Sequence, residues 1–321
     1  VLSGVGGDRF QEEVTHPTSL WHNPALGWSG GDSERAMVSR ALVLGGGGPL
    51  MSAWTAGLLA GFHRRGADVG KADYIVGTSA GALIGAQLAG GLAMEDVAQA
   101  IIAETGPPRG LAPPSPDAIA RLPELFRSAQ GGSGDPKAAR AEIGRYALAA
   151  PTDDEETVVA VYREMLPQAW PERDFACTVV DAGDGGFDLI TGGHGMELAR
   201  AVAASCAVPG LVPPITLNGR RYMDGGLRSS TNADMAAGFD LVLVVAFAAP
   251  GERGARMAAR LAEEVESLQD GGTIVVAVTP DEAALEAIGA QPMDARRRPA
   301  AASAGLAQGV TQAPVLAEVW G

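Results

Sequence analysis

Hydrophobic positions along the chain fall into two rhythms. Short runs rich in Val, Ile and Leu at residues 41–45, 74–77, 175–181, 187–191, 241–247 and 273–278 end in glycine, aspartate or threonine, which predicts β-strands. Between them lie longer stretches of small and apolar residues that suit helices: 52–63, 82–89, 198–205 and from 300 onward, with shorter helices starting near Asp117 and Ala138 and another ending near Leu166. Alternation of this kind builds an α/β fold whose parallel sheet is covered on both faces. The longest apolar run, 241–249, is far too short for a membrane helix and reads as a strand buried on both sides.

Two regions break the rhythm. Residues 1–39 scatter Gly, Pro, His and Trp without periodicity, so a poorly ordered extension is expected there, followed by one large α/β domain over 40–321. That extension lacks the basic start and apolar stretch of a secretory signal. Breaker-rich segments at 107–116 and 130–136 surround the short helices and suggest a helical, cap-like insertion around 105–170. The acidic run Asp153-Asp154-Glu155-Glu156 opens a helix, where it complements the helix dipole, and is read as capping rather than metal binding.

Charge and cysteine content narrow the function classes. A formal net charge of −14 opposes capture by nucleic acid or by an anionic bilayer, so any transient membrane contact is expected to be apolar and peripheral. The one basic run, Arg296-Arg297-Arg298, is read as a solvated loop. Two cysteines, Cys177 and Cys206, form no disulfide framework and fit a reducing, cytoplasmic compartment. Cys206, which follows Ser205 in a small-residue helix, is read as a buried structural thiol.

The chemistry concentrates in three glycine-flanked segments. In Gly77-Thr78-Ser79-Ala80-Gly81 a serine stands between a strand and a helix, the setting of a nucleophile elbow. The flanking glycines admit the sharp turn, and the following helix N-terminus favours developing negative charge. The run Gly45-Gly46-Gly47-Gly48 ends another strand and offers bare amides for an anion. Asp224 leaves a short strand into Gly225-Gly226, from which a carboxylate reaches the serine if the fold brings them together. A Ser, acid, His triad would need a late histidine, and none follows His194. His16 and His22 lie in the extension and His63 ends a helix, which leaves His194, in the turn Gly192-Gly193-His194-Gly195, as the remaining candidate for a histidine base, against a structural or solvated reading of it. A dinucleotide fingerprint would want glycine where Met51 stands, although Asp68 lies near the spacing of its acidic residue.

Taken together, these motifs resemble the patatin-like phospholipase family. The likeness extends to 198–210 around Ser205 and Pro209, to Val212-Pro213-Pro214 and to 218–226. It implies a three-layer α/β fold with a mainly parallel central sheet flanked by helices. It further implies a Ser79–Asp224 dyad that cleaves lipid acyl or small carboxylic esters through an acyl-enzyme, with Gly46, Gly47, Gly48 and Ala80 as oxyanion donors and no cofactor or metal. One departure stands out: many members carry a basic residue and another glycine after the glycine run, where this chain has Pro49-Leu50-Met51. Met51 is expected to alter the helix entry or narrow the site. A catalytically silent scaffold and a nucleotide-binding module remain the alternatives; head group, chain length and oligomeric state are left open.

Overall fold

Single-residue alternation in the strands sorts the core into two layers. The computed structural model describes residues 20–21, 38–105, 115–131, 134–248, 252–291 and 293–320. Its strands are β1 (Leu20–Trp21), β2 (Arg40–Leu44), β3 (Tyr74–Gly77), β4 (Asp174–Asp181), β5 (Phe187–Thr191), β6 (Ile215–Leu217), β7 (Arg220–Asp224), β8 (Leu241–Val245) and β9 (Ile274–Val278). The helices are α1 (Gly48–Arg64), α2 (Ala80–Ala89), α3 (Met94–Ile102), α4 (Pro116–Ala129), α5 (Pro136–Ala149), α6 (Glu155–Met165), α7 (Leu198–Ser205), α8 (Glu252–Asp270), α9 (Glu282–Ile288) and α10 (Arg298–Trp320).

Among the described residues the strands form one sheet in the order β1-β9-β8-β2-β3-β4-β7-β6, with β5 paired to β4. The central five, β9-β8-β2-β3-β4, run parallel. The flanks are antiparallel, because the turn from β4 to β5 is too short for a crossover helix and β6 returns directly into β7. The sheet is thus mainly parallel, as expected, with antiparallel strands at its flanks. Leu42, Leu44, Ile75, Leu243 and Val245 face the layer of α1, α2, α7 and α10. Ala41, Val43, Val76, Val242 and Val244 face α8 on the other side. Each strand thus buries both faces, which is why its sequence reads as an unbroken apolar run.

The expected cap-like insertion is built into these layers. Ala129 of α4 and Ile143 and Ala147 of α5 pack on Val180, Met223 and Leu227, extending the α8 side over the β4–β7 end. Val158 and Val159 of α6 join the opposite layer. Asp154 does cap α6, accepting from the Thr157 amide at 3.0 Å. Glu155 pairs with Arg200 and accepts from the Thr216 amide at 2.8 Å. Most of the segments 107–116 and 1–39 lies outside the described residues; within the latter, Leu20–Trp21 pairs antiparallel with β9.

Helices α1 and α10 pass each other at backbone contact. A Cβ on Gly57 or Gly61 of α1 would stand 2.1 Å from the Ala302 carbonyl oxygen or 2.5 Å from that of Leu306. Reciprocally, one on Gly305 or Gly309 of α10 would meet the carbonyls of Trp54 and Leu58 at 2.1 and 2.2 Å. Glycine at four-residue spacing on both helices permits this approach, and it fixes the back of the helix that follows the glycine run. Buried Gln308 adds a polar tie, accepting from Trp54 Nε1 at 3.0 Å and donating to the Thr279 carbonyl at 2.8 Å.

Candidate active site

Strands β2 and β3 are parallel neighbours, so the segments that leave their C-terminal ends lie side by side. Ser79 occupies the turn from β3 into α2 with φ 53° and ψ −118°, a conformation that costs a non-glycine residue about 1–3 kcal/mol. The surroundings hold it there. Its amide donates to Ser205 Oγ at 3.0 Å, and its carbonyl accepts from the Ala82 amide at 2.8 Å. Gly77 and Gly81 leave the needed room, since a Cβ on Gly77 would stand 2.4 Å from Ala82 Cα and one on Gly81 1.9 Å from the Leu44 carbonyl oxygen. The elbow glycines therefore serve the packing of α2 against β2 and β3.

Asp224 ends β7, opposite Val179 of β4, with its amide donating to the Ala207 carbonyl at 3.0 Å. Its Oδ1 accepts from the Gly226 amide at 2.8 Å. Gly225 lies so close to Thr178 that a Cβ would meet Thr178 Oγ1 at 2.1 Å, which leaves glycine as the residue that fits. The carboxylate is 1% exposed, and burial pushes its pKa up to about 6, against the opposing hydrogen bonds from the Ser79 hydroxyl and the Gly226 amide. Ser79 itself is 7% exposed. The Ser79 hydroxyl and the carboxylate thus meet in a site closed to bulk water, where the carboxyl is a stronger base than a free aspartate.

The glycine run lies beside the serine. A Cβ on Gly46 would approach the Ser79 Cβ to 3.2 Å. The Gly46 amide, expected as an oxyanion donor, already donates to the Ser230 carbonyl at 2.8 Å, so Gly46 contributes close approach and not a free N–H. Among the described residues no hydrogen bond occupies the amides of Gly47, Gly48 or Ala80. Met51 does not project from the helix entry. It is buried, with its Cγ 2.2 Å from where a Gly47 Cβ would be, so it packs beneath the loop. Arg298, expected in a solvated run, instead pairs with Glu104 at 3.0 Å and comes within 3.5 Å of the Pro49 carbonyl and Ser52 Oγ.

Several neighbours carry no local sequence signal. Cys206 is hydrogen-bonded to Ser79 and Tyr162, and burial, with the Asp224 charge adding to it, pushes its pKa up to about 12. Burial likewise raises Tyr162, on α6, well above the ordinary tyrosine range. Both lie beside Ser79 and Asp224 as neutral groups. Their recruitment depends on α6 and α7 packing together, which no motif records; the position of Ser205 just before the Pro209 turn was the only hint. His194, by contrast, is exposed in its own turn, where Thr191 donates its amide to Nδ1 at 3.1 Å, and no contact links it to Ser79. His63 is exposed and 3.9 Å from Asp68.

Comparison with known proteins bears on the arrangement as a whole. A sequence model described as Patatin-like phospholipase matches residues 42–237, which include the glycine run, the serine elbow and the Asp-Gly-Gly turn. Curated protein sequences give no match. Solved structures similar to the chain include VipD from Legionella pneumophila, at 15% identity and TM-score 0.44 over 86% of this chain and 67% of that one. Another is the type III effector protein ExoU, at 16% identity and TM-score 0.36 over 87% of this chain and 53% of that one. The chain thus spans about two thirds of the first and about half of the second. The family match covers more than half of the sequence and all three chemical segments, and on that ground the chain belongs to the patatin-like phospholipase family of lipid hydrolases.

Proposed function

We propose that this protein is a serine hydrolase that cleaves lipid acyl or other carboxylic esters through a Ser79–Asp224 dyad and a covalent acyl-enzyme. The observation that carries the reading is the serine in a strained strand-to-helix turn whose hydroxyl meets a buried carboxylate with a pKa near 6. At neutral pH that carboxylate is mostly ionised and accepts the Ser79 proton as Oγ attacks the ester carbonyl. The amides of Gly47, Gly48 and Ala80 receive the developing oxyanion, and Ala80 adds the positive end of the α2 dipole. Collapse of the tetrahedral intermediate expels the alcohol, which takes the proton from Asp224. Water, deprotonated by the same carboxylate, then releases the acid and restores Ser79.

The dyad dispenses with histidine because burial supplies basicity that an exposed aspartate lacks. No helix among the described residues is long and apolar enough to cross a membrane, and this reading has the protein reach lipid by transient apolar contact from a reducing compartment. The test is a fluorophosphonate adduct mapped by peptide mass, alongside hydrolysis of p-nitrophenyl esters of graded chain length. The adduct is expected on Ser79, and Ser79→Ala is expected to lose several orders of magnitude in turnover. An adduct elsewhere, or parent-level turnover by Ser79→Ala, would return the chain to the silent-scaffold reading.

A further inference from the structure

A buried polar network lies behind the site and touches all three of its segments. Its centre is the turn 229–233, which follows the Asp-Gly-Gly segment. Asn232 at its apex is completely buried and adopts φ 51° and ψ 41°. Its Nδ2 donates to Thr78 Oγ1 at 3.0 Å, beside the nucleophile, and to the Ser229 carbonyl at 2.7 Å; the Gly225 carbonyl, beside Asp224, lies at 3.4 Å. The carbonyl of Ser230 in the same turn holds the Gly46 amide. Thr78 Oγ1 also accepts from Thr178 Oγ1 at 2.9 Å, which ties the elbow to β4.

The turn is anchored from outside the site. Glu264 of α8 is 5% exposed, and its carboxylate accepts from Ser229 Oγ, Thr231 Oγ1 and, at 3.1 Å, the Ala233 amide. Arg228 reaches the other end of the Asn232 carboxamide, donating to Oδ1 at 2.8 Å. Its hydrogen bonds run to residues adjacent in sequence to Ser79 and Asp224 and to the loop that approaches the serine.

From this arrangement we propose that Asn232, braced by Glu264, is a positioning residue that sets the separation of the nucleophile elbow, the aspartate turn and the glycine loop. This rests on the dyad reading above. Ester hydrolysis needs those three segments in register at the moment of attack, and a displacement of an ångström far from the chemistry costs about 10²-fold in rate. Ground-state binding of an acyl chain makes no such demand. Loss of the Asn232 donor is therefore expected to lower kcat and leave KM nearly unchanged.

Asn232→Asp is the sharpest variant, because it keeps the volume and the oxygen facing Arg228 but removes both N–H donors. Thr78→Val deletes the acceptor at the elbow with little change in volume and tests the same contact from the other side. The parent, both variants and the double variant are compared by kcat and KM on a p-nitrophenyl ester, fluorophosphonate labelling rate at Ser79, and thermal unfolding. The expected result is a fall in kcat of about 10- to 100-fold for Asn232→Asp at temperatures well below its unfolding transition, with KM within about twofold and labelling slowed in parallel. The Thr78→Val loss should be non-additive with it in the double variant. If the parent labels at Ser79 while Asn232→Asp stays within about twofold of its kcat, or the two losses multiply, the positioning role is overturned and the dyad stands. If Asn232→Asp does not fold, Thr78→Val decides alone: a kcat at parent level overturns the role. A parent that neither labels nor turns over ester overturns both readings together.

Discussion

Asp224 is charged where charge is costly. Its pKa is raised from 3.8 to about 6, so the folded protein holds this proton more tightly than the unfolded chain. The linkage follows directly: the contribution to stability is fully present below the unfolded pKa, declines as pH rises towards 6, and is gone above it. The difference amounts to about 3 kcal/mol, at ~1.36 kcal/mol per pKa unit. Asp224→Asn is therefore expected to be more stable than the parent at pH 8 by up to this amount, with the gap closing towards pH 4, while turnover is lost. Denaturant unfolding of both proteins across that range measures it; a variant less stable than the parent at pH 8 would contradict the burial argument. The parent's kcat/KM should fall on the acid side with a midpoint near pH 6. At this scale Ser79 and Asp224, which the fold brings together, were legible in the sequence as candidates, because a glycine elbow and an Asp-Gly-Gly turn are local requirements written in adjacent residues. Ser205, Asn232 and Glu264 were not legible: their bonds join positions more than thirty residues apart, and only the fold pairs them. The occupied Gly46 amide escaped notice for the same reason, since its acceptor is the distant Ser230 carbonyl.

At the level of elements, the parallel strands were the most legible, because burial on both faces leaves no polar position to blur the run. Strand β3 begins and ends where the apolar pattern places it and β8 stops short of Phe247; the antiparallel β5 also keeps its expected bounds, though only Ile190 in it is buried. The short antiparallel β6 and the polar-faced α8 left weaker signals. Helix α8 is rich in charged residues and buries a narrow stripe containing Leu261, Glu264 and Leu268, so one of its few inward positions is polar. The glycine faces of α1 and α10 were also silent, since a glycine in a helix announces a close approach without naming its partner. Gly305→Val places carbon against the Trp54 carbonyl and is expected to destabilise the fold by about 1–3 kcal/mol or more, through a displaced helix pair. Thermal or denaturant unfolding checks this. A stability equal to the parent's would mean that the two helices separate without cost.

For the whole molecule, charge sets the terms of approach to lipid. A net charge of −14 repels an anionic surface over a Debye length of about 10 Å at 0.1 M salt. Binding to anionic vesicles, followed by co-sedimentation, is therefore expected to strengthen as salt is raised, and binding to zwitterionic vesicles to stay level. Binding to anionic vesicles that weakened with salt would reveal a basic contact face and refute the apolar mode. The pairing of α1 with α10 has a further bearing on how such an enzyme comes into being. Synthesis delivers the glycine run, the serine elbow and the aspartate turn in that order, and α10 only after all of them. Until α10 emerges, the glycine face of α1 lies bare and the helix is held only by its other neighbours, such as α2 and α3. On the proposed mechanism the nascent chain would carry Ser79 and Asp224 before that support is in place, so ester hydrolysis is expected to begin only when translation has run through α10.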